Sequence, residues 1–239
     1  MNRDVSSWRF LARIFLLGLW LTLLPLTASA EKVDWSEPGY DFGRIYRVLL
    51  ADLDTGAAEF SSSLMARKAQ DDYLRYAGKM NCQIVTGEQA RRQISLILGV
   101  DLDGLFRSDP ARAQALYREN LPRVADVWVT GKVKRWQNDY YIVPERTVWE
   151  QRRVDRGGYD SHGRWRNESY YITVPVTYPP HRVDVSKLTM AFEVYDARTG
   201  RMVLGREDIR DREDYNAQDG MFERICKSFF GDFGNKIHR

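Results

Sequence analysis

The sequence contains few of the residues that form catalytic or metal sites. Its 239 residues include three histidines and two cysteines. It has no phosphate-binding glycine loop, zinc-ligand spacing or nucleophile elbow. His162 lies between turn glycines, His181 follows two prolines, and His238 is the penultimate residue. None of these settings is typical of a general base or a metal ligand. We therefore predict three surface histidines, no metal, no cofactor and no enzymatic activity.

Only one long hydrophobic run is present, and it lies near the N-terminus. Residues 14–24 are all apolar or glycine or threonine, follow three arginines, and precede the small residues 28–30. This order is typical of a secretory signal peptide, so we predict cleavage after Ala30 and an exported, periplasmic or otherwise extracytoplasmic chain. The run is shorter than the ~20 residues that span a bilayer, so no transmembrane segment is predicted in the mature chain. The alternative is an uncleaved membrane anchor.

A large excess of positive charge is also missing. The whole chain has 36 Lys and Arg against 33 Asp and Glu, a formal charge of +3. Residues 1–30 hold three arginines and one aspartate, so their removal lowers the charge to +1. Nucleic acid binding requires a concentrated basic surface, and we expect no nucleic acid partner. The remaining length suits a leader segment, residues 31–43, and a single α/β domain, residues 44–239.

The two cysteines, Cys82 and Cys226, both lie in the predicted exported portion. An oxidising compartment permits a disulfide, and closing so long a loop would stabilise the fold by about 5 kcal/mol in the chain-entropy model. We therefore predict that they form a disulfide. The alternative is two separate buried thiols, which behave as small hydrophobic side chains.

Alternating and helical patterns predict the fold class. Residues 124–136 place Val127, Val129 and Val133 on one face of an extended chain, and residues 188–195 alternate in the same way. Strands and helices follow one another along the chain. This order predicts a mixed sheet covered by helices, a two-layer α/β sandwich. The predicted helices are residues 57–80, 87–98, 110–120 and 218–237, and residues 206–214 are predicted to be a solvated strand end or loop.

Residues 138–182 differ from the rest because arginines, acids and aromatics are interleaved there around turn glycines. We predict a long β-hairpin insertion. Exposed Tyr, Trp and Arg dominate interface hot spots, so this insertion is the candidate protein-binding surface. The alternative is a twisted hairpin whose aromatics pair across the strands. The candidate contact residues are Trp136, Tyr140, Tyr141, Trp149, Arg152, Arg153, Tyr159, Trp165, Arg166, Tyr170 and Tyr171.

Carboxylates near predicted strand ends are the other candidates. Asp52 and Asp54 follow the first predicted core strand, and strand ends in α/β sheets carry functional sites. Turn formation and helix capping explain such residues with fewer assumptions, and we favour that structural role. Two alternatives therefore stay open: an envelope hydrolase that uses these acids, and a small-ligand carrier with an apolar pocket between sheet and helices.

Two segments resemble a family of bacterial envelope proteins. Residues 124–133 are VADVWVTGKV, and residues 196–203, after a strand, are DARTGRMV. The first is similar to a strand, and the second to a turn between two strands, of proteins related to the curli secretion channel, the lipoprotein activators of penicillin-binding proteins, and the TolB N-terminal domain. The resemblance implies a small α/β domain that acts through protein contacts in the cell envelope, without catalysis. An assembly, secretion-accessory or regulatory role would follow.

Overall fold

The structure is a computed structural model that describes residues 30–56 and 63–237. Apart from Ala30, the predicted signal peptide lies outside these residues, as does the start of the first predicted helix. The strands are β1 (Ala30–Ser36), β2 (Arg47–Leu50), β3 (Gln83–Thr86), β4 (Val127–Val143), β5 (Arg146–Tyr159), β6 (Trp165–Tyr178), β7 (His181–Asp196) and β8 (Met202–Arg212). The α-helices are α1 (Ser63–Ala77), α2 (Gly87–Leu98), α3 (Leu102–Ser108), α4 (Pro110–Val124) and α5 (Gln218–Ile237).

Six strands form one mixed sheet in the order β1-β8-β7-β4-β2-β3. β2 is parallel to both β3 and β4, whereas β4, β7, β8 and β1 pair antiparallel. β5 and β6 form a separate two-stranded sheet. The predicted α/β sandwich with a mixed sheet is confirmed. Residues 31–36 of the predicted leader contribute the edge strand β1, which pairs with β8.

Helix boundaries follow local signals in the sequence. Thr86 caps α2 with a capping box, in which its side chain and that of Gln89 each bond the other residue's backbone N–H. Gly99 ends the same helix with a φ of 66°, the left-handed conformation that glycine adopts without strain. Asp109 caps α4 and Pro110 occupies its first turn.

Helices cover both faces of the sheet at its β2–β4 end. In β2, the side chains of Val48 and Leu50 pack with α1 and α5, whereas that of Leu49 packs with α2, α3 and α4. The larger cluster, beneath α1 and α5, extends across β4, β7 and β8. Along residues 30–56 and 63–237, none of the helices is both long and apolar enough to cross a bilayer.

The centre of the larger cluster is aromatic and tightly packed. Phe192 of β7 stacks on Phe229 of α5 with ring centroids 4.1 Å apart, and Tyr73 of α1 packs beside Phe192. Gly131 of β4 lies under Tyr73, because a Cβ at that position would come 2.8 Å from the Tyr73 Cε2 atom. A side chain at residue 131 would therefore displace the ring above it.

The predicted disulfide is wrong for this structure, because Cys82 and Cys226 are both free thiols. Cys82 is half-buried just before β3, and Cys226 is buried in α5 within the larger cluster. Burial raises the pKa of the Cys82 thiol to about 11, and burial also raises the pKa of Cys226. Both side chains act as small hydrophobic groups, as in the alternative to the disulfide.

The predicted solvated segment 206–214 is also partly wrong. Arg206 and Asp208 of β8 are buried, on the sheet face that α5 covers. The Arg206 guanidinium donates to Asp34 of β1 at 2.5 Å and lies 3.0 Å from the carboxylate of Asp232 in α5. Asp34 and Asp232 are far from Arg206 in the sequence. The charged run 206–214 therefore contains no local pattern that predicts the burial of Arg206.

Candidate functional site

The predicted hairpin is the continuation of two core strands. β4 and β7 remain paired until Val143 faces His181, and β5 and β6 then pair from Arg146 facing Tyr178. The two ribbons are separated by Pro144 and by the pair Pro179-Pro180, residues that cannot donate ladder hydrogen bonds. We call residues 146–178 the arm. Within the described residues, β5 and β6 pair only with each other.

Odd-numbered and even-numbered side chains lie on opposite faces of the arm, because directly paired residues share parity and side chains alternate along each strand. The odd-numbered face carries four strongly exposed aromatic side chains. We call this set the aromatic face: Trp149 (68 % exposed), Tyr159 (74 %), Trp165 (62 %) and Tyr171 (69 %). Such exposure of Trp and Tyr is typical of residues that anchor protein interfaces.

The even-numbered face mixes aliphatic and charged side chains. Five aliphatic residues share it with Arg146, Glu150, Arg152, Arg156, Arg166 and Glu168. Val148 faces Val176 directly across the ribbon, and Val154 faces Tyr170. We call the aliphatic residues of the even-numbered row the aliphatic face: Val148, Val154, Ile172, Val174 and Val176. This face continues the buried side of the main sheet, where Trp136 pairs with Leu188 under α5.

The tip of the arm is ordered by local contacts. The rings of Tyr159 and Trp165 meet edge to face with centroids 5.1 Å apart. Asp160 accepts hydrogen bonds from the backbone amides of Arg164 and His162 and pairs with Arg166 at 3.1 Å. The bond from Arg164 is the main reason that the pKa of Asp160 is lowered, and burial opposes it. The aromatic face is therefore presented on a defined turn.

The predicted contact residues divide into four groups. Trp136 is a correction, because it is only 3 % exposed and packs on Phe222 of α5, 5.9 Å between ring centroids. A β-bulge between Val133 and Arg135 moves it to the core face.

The other predicted contact residues are distributed over both faces of the ribbon. The exposed aromatics Trp149, Tyr159, Trp165 and Tyr171 form the aromatic face, whereas Arg152 and Tyr170 lie on the opposite face of the arm. Tyr140, Tyr141, Arg153 and Arg166 already contact Arg182, Glu213, Asp155 and Asp160 respectively.

A polar network at the start of α5 was not predicted from the sequence. Ser186 Oγ donates to the Asp214 carbonyl at 2.6 Å and accepts from the Ala217 amide at 2.9 Å. Gln218 Nε2 donates to Asn138 Oδ1 at 2.8 Å. One feature of the sequence could have indicated this network: Ser186 is a polar residue on the strand face that also carries Leu188 and other apolar residues. This network attaches the arm's supporting strands to the start of α5.

The two segments that carry the envelope-protein resemblance meet at one end of the sheet. Asp126 accepts hydrogen bonds from the amide of Arg47 at 2.8 Å and from its guanidinium at 3.1 Å. Asp196 accepts from Thr199, Tyr40 and Arg44. Burial alone would raise the pKa of Asp196, but these hydrogen bonds and the Arg44 charge outweigh it and lower the pKa. Both aspartates therefore stabilise this end of the sheet through their hydrogen bonds.

A cleft of about 950 Å³ lies between the sheet and helices α2 and α4. Trp128, Tyr117, Arg118 and Asp52 are among its lining residues. Trp128 stacks on Tyr195 with centroids 4.9 Å apart. Of the two strand-end acids, Asp52 borders this cleft. Asp54 instead accepts from the Gly56 amide at 2.9 Å and pairs with Lys132 at 3.2 Å.

Comparisons with known proteins give a limited result. No protein-family model and no curated protein matches the sequence. Similar solved structures include the PelC dodecamer from Paraburkholderia phytofirmans, with 10 % identity and a TM-score of 0.39 over 86 % of this chain and 98 % of that chain. Another is lipoprotein GNA1162 from Neisseria meningitidis, with 10 % identity and a TM-score of 0.34 over 80 % and 99 %. No family is assigned on similarities of this size.

Proposed function

We propose that the chain is an exported cell-envelope protein that acts without catalysis by binding another protein, and that the aromatic face of the arm is its contact surface. The observation that supports this proposal is the exposure of Trp149, Tyr159, Trp165 and Tyr171 on one face of a ribbon that projects from the sheet. The main sheet and its helices serve as the scaffold that holds the arm.

A two-stranded ribbon with both faces in water gains little stability from its own packing. An isolated two-stranded hairpin is marginally stable, and three strands or a covering layer are normally required. The arm has neither among the described residues, yet it has 14 residues in each strand. A bound protein would remove the aromatic rings from water and supply the missing layer. Large rigid aromatic side chains contribute most of the binding energy in such contacts.

The export part of the proposal rests on the N-terminal pattern and on the two resembling segments. Three arginines, an apolar run and the small residues before Glu31 have the order of a signal peptide. The strands VADVWVTGKV and DARTGRMV are similar to strands of envelope proteins, as described above. An envelope location would give the arm access to other exported proteins.

The test is quantitative capture of partners from envelope extract by the mature chain. Trp149→Ser with Tyr171→Ser should weaken the affinity for the specific partner about a hundredfold or more, because hot-spot residues contribute about 2 kcal/mol or more each. Tyr46→Ser is the matched control, since Tyr46 is 72 % exposed on the scaffold. It should leave capture unchanged.

A deletion variant provides a second, independent test. Residues 146–178 are replaced by a short Gly/Ser link, which leaves Asn138 and Ser186 in their network. Circular dichroism and the unfolding temperature establish that the scaffold is folded. The same set of captured proteins, in the same amounts, from this folded deletion would refute the arm as the contact surface.

The cleft supports a second candidate function, a small-ligand carrier. Its volume lies within the ~300–1,000 Å³ of ligand sites, and Trp128 offers a flat apolar surface. We propose to test it by fluorescence titration with N-phenyl-1-naphthylamine. Trp128→Ala should weaken binding of the probe, whereas Trp35→Ala, an exposed tryptophan of β1, should not. Equal binding by both variants would exclude the cleft.

A further inference from the structure

The outer side of β1 is a free edge of the main sheet. β1 pairs with β8, and no other strand of the described residues pairs with it. The Glu37 amide donates to the Val203 carbonyl, so the odd-numbered residues of this segment direct their backbone groups towards β8. The even-numbered residues therefore direct their N–H and C=O groups outwards, and such a row of unpaired groups is a template for another strand.

The side chains of β1 differ between its two faces. Lys32 and Asp34 lie on the face that α5 covers, since both contact partners beneath that helix, and they pair with each other at 3.2 Å. Glu31, Val33 and Trp35 lie on the opposite face. Of these, Val33 is 55 % exposed and Trp35 is 45 % exposed. The edge therefore carries one positive and one negative charge on one face and two adjacent apolar side chains on the other.

We propose that this edge pairs with the same edge of a second copy of the chain, antiparallel and with a twofold axis at Val33, so that the sheet continues from one copy into the other. In this register Lys32 of each copy lies opposite Asp34 of the other. Both residues are even-numbered, so their outward backbone groups form a hydrogen-bonded pair, and opposite charges in directly facing positions stabilise it. A twofold contact uses one patch twice, and this patch complements itself in charge and in hydrogen bonding.

The charges select this register over its neighbours. Outward backbone groups pair only between even-numbered residues, so the axis moves in steps that keep this match. An axis at Lys32 or at Asp34 would place two lysines or two aspartates directly opposite each other, which destabilises the pair. With the axis at Val33, the two valines meet, and Trp35 of each copy lies opposite Glu31 and diagonally beside Val33 of the other.

The expected contact is short. Residues 31–35 of each mature copy would pair over about 17 Å at ~3.3 Å per residue, so the dimer should be reversible and dependent on concentration. The contact uses the scaffold alone and leaves the arm and the cleft free. This inference therefore goes beyond the proposed function and does not depend on it.

Disulfide trapping in the mature chain tests the register. Val33→Cys would place two thiols across the axis at a non-hydrogen-bonded pair, where the Cα atoms are about 4.5 Å apart, a separation that a disulfide spans. Trp35→Cys is the matched control, because its two thiols would lie four residues apart along the strands, about 13 Å. Mild oxidation should convert most of the Val33→Cys chain, and little of the Trp35→Cys chain, into a covalent dimer. Cys82 and Cys226 are present in both variants, half-buried and buried respectively.

Sedimentation velocity of the mature chain over a wide concentration range measures the dimer itself. Lys32→Glu should raise the dimer dissociation constant about tenfold or more, because two like-charged pairs would replace two oppositely charged ones. Arg107→Glu makes the same charge change at an exposed position of α3, on the other face of the sheet, and should leave dimerisation unchanged. Circular dichroism and thermal unfolding establish that each variant is folded.

Four outcomes would overturn the proposal. They are a monomer at every concentration, equal trapping of the two cysteine variants, a Lys32→Glu variant that dimerises as the unmodified chain does, and loss of the dimer when residues 146–178 are deleted. The last outcome would place the contact in the arm. Failure of partner capture through Trp149 and Tyr171 would leave this dimer intact, so the two proposals fail separately.

Discussion

The scaffold and the arm are built from the same pair of strands but end in opposite environments. β4 and β7 alternate apolar and polar residues under α5, whereas both rows of β5 and β6 mix charged and apolar residues, and no helix of the described residues covers them. The change occurs where α5 starts, at the level of the Asn138, Ser186 and Gln218 network. The regular alternation and the covering helix therefore end at about the same level of the two strands.

The largest expected difference between the two regions concerns buried and exposed aromatic rings. Phe192→Ala should lower the free energy of unfolding by about 3–5 kcal/mol, because the ring is fully buried against Phe229 and leaves a cavity. Tyr171→Ala on the arm should change it by ~0.5 kcal/mol or less. Urea denaturation measures both. Equal losses would mean that the arm is packed as the scaffold is.

Glycines test the same comparison with a smaller effect. Gly131→Ala should destabilise by about 1–3 kcal/mol, since its new methyl group would press on the Tyr73 ring. Gly158→Ala, in β5, meets no atom within 4 Å and should leave the unfolding free energy nearly unchanged. Both are measured by thermal and urea unfolding. A neutral Gly131→Ala would show that Tyr73 can move aside.

Acid should weaken the scaffold and the arm tip differently. The pKa of Asp196 is lowered in the folded chain, so its contribution to stability is present above its unfolded pKa of ~3.9 and is lost as pH falls through the folded value. Asp196→Asn should remove that part of the acid-dependent loss below about pH 4. Asp160→Asn, at the arm tip, should leave global unfolding unchanged. Urea unfolding at several pH values distinguishes them, and an unaltered acid dependence in Asp196→Asn would contradict the assignment.

The smallest effect concerns thiol reactivity, a probe of the scaffold alone. Burial and the raised pKa values of Cys82 and Cys226 keep both as neutral thiols at neutral pH, so alkylation of the folded chain should be slow. Two labels should be added after unfolding in urea without reductant. Deletion of residues 146–178 should not change the rate in the folded chain. A mass that shows no alkylation until reductant is added would restore the disulfide.

Local signals could be predicted from the sequence because the residues that produce them are neighbours. The Thr86 cap, the Gly99 end of α2 and the alternating valines of β4 are of this kind. Trp136 could not be placed by alternation, because the bulge beside Val133 shifts the register by one residue and moves every later side chain to the other face. The burial of Arg206 depends on Asp34 and Asp232, which meet it only in the folded chain.

The pattern of residues 138–182 predicts a hairpin rich in Tyr, Trp and Arg, and the structure has this ribbon, but the sequence alone does not assign the side chains to its two faces. That assignment requires the cross-strand register, which joins Trp149 to Pro175 and Val148 to Val176. The cleft beside Trp128 was foreseen only as an alternative, since its walls come from helices and a turn that are far apart in the chain.

The proline break at the base of the arm has a mechanical consequence. Pro144 on one strand and Pro179 and Pro180 on the other leave a short stretch with few ladder hydrogen bonds between two well-paired ribbons. Such a stretch should bend more easily than the paired ribbons, so we call it the hinge; the arm beyond it is about 46 Å long at ~3.3 Å per residue. A bend of about 10° at the hinge would carry the tip through roughly 8 Å at that lever length. A small bend there would therefore displace the proposed contact surface by several ångströms without any change in the scaffold.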